Sequence, residues 1–133
     1  MTDFVLHERL AADTVFVTNW PLSRVLLMND SRFPWLLLVP RRMDVLELFQ
    51  LSQKERQELT EEIAQASRKL KTITGATKIN IGALGNLVPQ LHVHIVARNP
   101  GDPAWPGPVW GHGTPVVYEA AARDALVAKL RSA

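Results

Sequence analysis

The sequence predicts an α+β fold: an antiparallel sheet of about five strands, one long helix and a C-terminal helix. Three observations carry this expectation. Strand-length apolar runs recur between residues 14 and 40, separated by turn residues; one long segment with helical periodicity follows; a second pair of strand-like runs then precedes a final helix. No repeat, low-complexity segment or linker divides the chain, so its 133 residues are expected to form one domain, 1–133, able to bury a core without staples.

Taken in order, "VLHERLAAD" (5–13) reads as a short N-terminal helix, and "TVFVTNW" (14–20) and "SRVLLMND" (23–30) as two strands turned at Asn19–Ser23 around Pro21. "PWLLLVP" (34–40) is a third strand; its unbroken apolar run predicts burial on both faces. The long helix opens in "LSQKERQELTEEIAQASRKLKTITG", where Ser52 and Glu55 have capping-box spacing. Leu59, Ile63, Ala66, Leu70 and Ile73 then form one apolar face, and Gly75 stops the run. "TKINIGAL" (77–84) is a fourth strand, and "GNLVP" turns into a fifth. Residues 99–115 hold five prolines and four glycines, which excludes regular structure and leaves Trp105 and Trp110 needing cover from a cleft or a partner chain. The last helix, about 118 to 131, has Glu119 near its start and Lys129 and Arg131 near its end, as the helix dipole favours.

Composition narrows the function classes. Hydrophobic residues make up 47% and charged residues 21%, ordinary for a globular protein. The absence of cysteine excludes disulfides and thiolate metal sites. A net charge of +2, with Lys and Arg scattered, argues against a nucleic-acid partner. "MTDFVLHERLAAD" lacks the basic start and apolar run of a secretory signal, and no apolar run reaches the roughly 18 residues of a bilayer span, so no membrane partner and a cytoplasmic location are expected.

The chemistry concentrates in "QLHVHIVAR" (90–98). If this is a strand, Gln90, His92 and His94 line one face while Leu91, Val93 and Ile95 line the other. With a rise of roughly 3.3 Å per residue, one phosphate or metal ion can touch more than one of them. Three readings compete: a neutral imidazole as nucleophile, two imidazoles as metal ligands, or two structural histidines on a half-buried strand. A metal site needs a third ligand, for which Asp102 and His112 are candidates without any demanding spacing. No Gly-x-Ser-x-Gly elbow supports a serine triad, and "NIGALGN" lacks the following Lys-Ser or Lys-Thr of a P-loop.

Residues 90–96 resemble the signature of the histidine-triad (HIT) family, His-φ-His-φ-His-φ-φ with φ apolar. "RVLLMND", "PWLLLVPRR", "NIGALGN" and "AWPGPVWG" are similar to the family's segments as well, especially to a short, single-domain bacterial branch, so the resemblance spans roughly residues 4–112. It implies a half-barrel-like antiparallel sheet and a homodimer.

It also implies a nucleotide hydrolase or nucleotidyl transferase that attacks the α-phosphorus of a purine nucleotide, such as a dinucleoside polyphosphate or nucleoside phosphoramidate. By position His92 is then the nucleophile and His94 a contact to phosphate or leaving group. Asn29 would bond the ribose, Asn80 and Asn86 would lie at the phosphate, and Trp105 would approach the partner's site. No metal or other cofactor is required. Two positions depart from the pattern: Gln90 replaces the first signature histidine, and Trp35 replaces a further family histidine. Gln90 hydrogen-bonds but cannot titrate. A related transferase branch carries glutamine at a different triad position. Loss of the first histidine leaves a catalytically weakened nucleotide-binding module as the alternative, with a histidine metalloprotein behind it.

Overall fold

The computed structural model describes residues 4–132 of the chain. Its central strand, β3 (Trp35–Pro40), is buried at every position, as the unbroken apolar run requires. On one side β3 pairs with β2 (Ser23–Met28), which pairs with β1 (Thr14–Asn19); on the other it pairs with β5 (Val93–Arg98), which pairs with β4 (Lys78–Gly82). All four pairings are antiparallel. The long connection after β3 delivers the chain to the far edge as β4, and β5 returns beside β3.

Helix α2 (Gln53–Thr74) makes that crossing. Ser52 and Glu55 form the expected capping box, and Gly75 ends the helix in the left-handed region at φ 67°. Leu59, Ala66 and Leu70 are buried, with Ile63 and Ile73 packed beside them. They meet Leu36, Leu38, Val93, Ile95 and Ala97, the residues of β3 and β5 that share one face. Helix α3 (Ala120–Arg131) adds Val127 and Leu130 to this core. Each fully buried leucine contributes about 1.5–3 kcal/mol. Glu62 is also buried on α2, where its carboxylate accepts a hydrogen bond from the Leu22 amide.

Element ends shift by one to three residues from expectation, and three departures matter most. Helix α1 (Glu8–Asp13) begins three residues late because His7 caps it, Nδ1 accepting from the Arg9 amide. A single 3₁₀ turn, Leu48–Gln50, interrupts the loop before α2. Strand β5 starts at Val93, so Gln90 and His92 precede the strand instead of lying within it. Among the described residues no helix is long and apolar enough to cross a membrane.

Candidate functional site

The second face of the sheet carries Leu26, Trp35, Leu37, His94, Val96 and Arg98, and irregular chain and the short α1, through Leu10, cover it instead of α2 and α3. The two central histidines lie together there, ring centroids 4.8 Å apart, as their alternation predicts. His92 Nδ1 is 2.7 Å from the Gln90 carbonyl oxygen. A carbonyl only accepts, so Nδ1 carries the proton and Nε2 keeps its lone pair. Burial holds the His92 pKa below its ordinary value; the Gln90 carbonyl opposes this and the charge of His7 adds to it. Burial, with neighbouring His92, pushes His94 down to about 3. Both rings are therefore neutral near pH 7.

Aromatic side chains frame the pair. Trp35, on β3, donates its indole N–H to His94 Nδ1 at 3.0 Å. The Trp110 ring lies 5.5 Å from that of His94 and closes over β4 at Gly82. A Cβ at residue 82 would stand 3.1 Å from the Trp110 ring, so a larger residue there would require the ring to give by a few tenths of an ångström.

A cleft of about 710 Å³ opens over His92 and His94. That lies within the roughly 300–1,000 Å³ of small-molecule sites and is large enough for a nucleotide. Asn29, Asp30 and Arg32 line one end and Asn86 the rim. Arg32 is bound to the buried Asp30 carboxylate at 2.8 Å, and its Nη1 donates to the His112 carbonyl at 2.7 Å. Asp30 is held below the usual carboxylate range: burial opposes ionisation, but the hydrogen bonds of Arg32 and the Val116 amide outweigh it. The 116–118 segment is stitched to the same place, the Val116 amide donating to Asp30 and the Tyr118 amide to Asn29 Oδ1. Asn29 thus spends its carbonyl on the fold and keeps its amide nitrogen as the remaining donor.

The residues singled out in the sequence separate into two groups. Asn29, Asn86, His92 and His94 line one cleft; Gln90, Asn80 and Trp105 do not. The Gln90 side chain turns away to the N-terminal segment, accepting from the His7 amide at 2.8 Å and donating to the Val5 carbonyl at 2.9 Å. Asn80 accepts from Arg98 at 2.8 Å. Arg98 is only 1% exposed because its charge is satisfied inside. It forms a bidentate pair with Asp102 (2.7 and 3.1 Å), donates to the Gly107 carbonyl, and lies between the rings of Phe33 and Trp105. Asp102, held down to about 2 chiefly by Arg98, is engaged as a pillar of the loop. Among the described residues no group of three or more His, Asp or Glu side chains is placed to hold a metal ion.

Sequence reasoning missed Asp30 and Arg32 as part of the cleft wall. Their spacing in "NDSR", an acid two residues before a base at a strand end, is the available signal for a turn-forming pair.

With this geometry, residues 9–101 match the family model described as HIT domain. The chain belongs to the HIT family. Its members are in general nucleotide-binding hydrolases or transferases. A histidine triad protein from Bradyrhizobium japonicum superposes with a TM-score of 0.95 at 50% identity, covering 96% of each chain. One from Sinorhizobium meliloti gives 0.95 at 47%, covering 96% of this chain and 95% of that one. A third, from Marinobacter aquaeolei, gives 0.94 at 47%, covering 96% and 93%. No curated protein matches the chain in sequence. The HIT fold accounts for the five-stranded antiparallel sheet and its flanking helices.

Proposed function

We propose that this HIT protein is a nucleotide hydrolase or nucleotidyl transferase acting on the α-phosphate of a purine nucleotide, a phosphoanhydride or phosphoramidate, through His92. One observation carries the reading: the Gln90 carbonyl fixes the proton of His92 on Nδ1 and leaves Nε2 as a neutral nucleophile beside a nucleotide-sized cleft.

The Nε2 lone pair forms a bond to the α-phosphorus while the bond to the leaving group breaks and its electron pair departs with that group. The nucleotidyl-histidine keeps its Nδ1 proton on the Gln90 carbonyl. Water, or another acceptor in a transferase, then attacks phosphorus, the P–N pair returns to Nε2, and the acceptor's proton goes to solvent. Charge on the phosphoryl oxygens needs donors aimed at it. In this reading His94 and Asn86, which line the cleft, supply them, and Asn29 offers its amide to the sugar. No step calls for a metal or cofactor. Gln90 contributes through its carbonyl; Asn80 and Trp105 support the loop through Arg98.

A homodimer in the cytoplasm belongs to the same reading. β4 is an edge strand, and Ile81 on it and Leu84 and Leu87 just beyond are exposed, an apolar border suited to a second copy. Sedimentation at micromolar concentration should give twice the chain mass.

The decisive experiment is intact-protein mass spectrometry after a brief, acid-free quench with a diadenosine polyphosphate. An adenylyl-sized mass gain in the parent but not in His92→Ala, or nucleotide release lost in that variant, is expected. Neither adduct nor release, with nucleotide still bound, would replace the enzyme by the weakened binding module that the turned-away Gln90 side chain favours.

A further inference from the structure

We infer that Trp35 is a positioning residue that locks His94 as a fixed Nε2–H donor, and that the site consequently selects substrates whose leaving group departs without a proton. The inference rests on the proposed attack by His92 and narrows its substrate class from phosphoanhydride or phosphoramidate to phosphoanhydride.

The argument begins with what an indole can do. Its N–H only donates. At 3.0 Å from His94 Nδ1 it requires that nitrogen to be the acceptor, so the imidazole proton sits on Nε2. Trp35 is 7% exposed and is wedged against Phe33 and Trp110, which leaves the bond little room to break. A neutral imidazole of this tautomer can hydrogen-bond to a phosphoryl oxygen but is far too weak an acid to hand its proton over. To become an acid it would have to protonate Nδ1 and lose the indole.

Among the described residues, no group in hydrogen-bond or ring contact with His94 replaces it. His92, the titratable group whose charge bears on His94, is the nucleophile. His7 turns its Nδ1 to the Arg9 amide and lies outside the cleft wall. His112 and Asp13 also line the cleft, but neither side chain is in hydrogen-bond or ring contact with His94, and the His112 carbonyl accepts from Arg32. Gln90 is an amide bound to residues 5 and 7. Arg9 and Arg32 line the cleft but hold their protons at any working pH.

The leaving group must therefore carry its own stability as an anion. A terminal phosphate, whose last proton dissociates near about pH 6, leaves with the electron pair of the broken P–O bond unaided. An alkylamine does not, because breaking P–N without protonation would expel a strongly basic amide anion.

Two substrates sharing the adenylyl group test this on the intact protein: a diadenosine polyphosphate and the 5′-phosphoramidate of adenosine with a primary alkylamine. Phosphoanhydride turnover should exceed phosphoramidate turnover by about 10²–10⁴-fold in kcat, the range a general acid supplies, with KM little changed. Imidazole ¹⁵N spectra of the parent should show His94 as the Nε2–H tautomer from about pH 5 to 8. Trp35→Phe, which keeps a ring but no N–H, should give mixed tautomers and narrow the gap between substrates. Comparable kcat on both substrates in the parent overturns the inference and leaves the His92 mechanism standing. A parent His94 that titrates, or carries its proton on Nδ1, overturns it equally. Cleavage of neither substrate removes the proposed enzyme and this inference with it.

Discussion

The two faces of the sheet are built by different rules. Under α2 and α3, Val25, Leu27, Leu36, Leu38, Val93 and Ile95 meet helix side chains in an apolar core with few hydrogen bonds to satisfy. On the opposite face the same strands offer Leu26, Trp35, Leu37, His94, Val96 and Arg98 to the short α1 and to loops rich in proline and glycine. Loops bring unpaired backbone groups, and these are answered by buried ion pairs: Arg98 with Asp102, and Asp30 with Arg32. One face is held by area, the other by a few directional contacts. The cleft lies on the second, where side-chain direction can be fixed residue by residue.

The sharpest way to break this comparison is to cut one polar pillar. Asp102→Ala leaves the Arg98 guanidinium buried beside only Asn80 and Gly107, and should cost about 3–5 kcal/mol in urea unfolding. If the pillar acts by satisfying a buried charge, Arg98→Met combined with Asp102→Leu will cost less than Asp102→Ala alone; a larger loss would assign the pair a stabilising role of its own.

On the helix face the parallel change is Leu70→Ala, which should cost about 2–5 kcal/mol through lost burial and a cavity. The two variants should differ in location. Nucleotide affinity per folded molecule should fall for Asp102→Ala, whose loop leads to Trp110, and stay unchanged for Leu70→Ala. Equal effects on binding would show the faces to be coupled.

The most gradual effect is a pH dependence. Above the ordinary histidine value of about 6.5, His94 is neutral both folded and unfolded. As pH falls, the unfolded chain takes up a proton that the folded one refuses until about 3, so stability declines across that window. One group contributes a slope of at most about 1.4 kcal/mol per pH unit. Replacing it, as in His94→Gln, should flatten the decline in urea midpoints between those limits. His92, also lowered, acts in the same direction and should let catalysis persist below the pH at which a free histidine would be protonated.

How much was legible follows the same division. Period-two alternation placed His92 beside His94, and helical spacing placed the α2 face, because both depend on neighbours within a few residues. The capping box at Ser52 and the stop at Gly75 were readable for the same reason. The second face was not. That Arg98 is buried depends on Asp102, Asn80 and Gly107 converging on it. The Trp35–His94 bond joins residues 59 apart, and no local pattern encodes it. Gln90 was read as a member of the row because alternation assumes a strand that in fact starts three residues later.

Gln90 repays one more look. Its side-chain amide takes the His7 N–H on one atom and offers its own N–H to the Val5 carbonyl on the other. That is what a peptide group does for an adjacent β-strand: one rung of a ladder, built from a side chain. An imidazole cannot copy it, since its donor and acceptor nitrogens diverge from a ring. Position 90 has become a splice between the segment before α1 and the segment before β5. Its main-chain half sets the proton on the nucleophile, while its side-chain half fastens the residues before α1. A cut or added tag at residues 5–7 would pull on the same residue that orients the His92 ring.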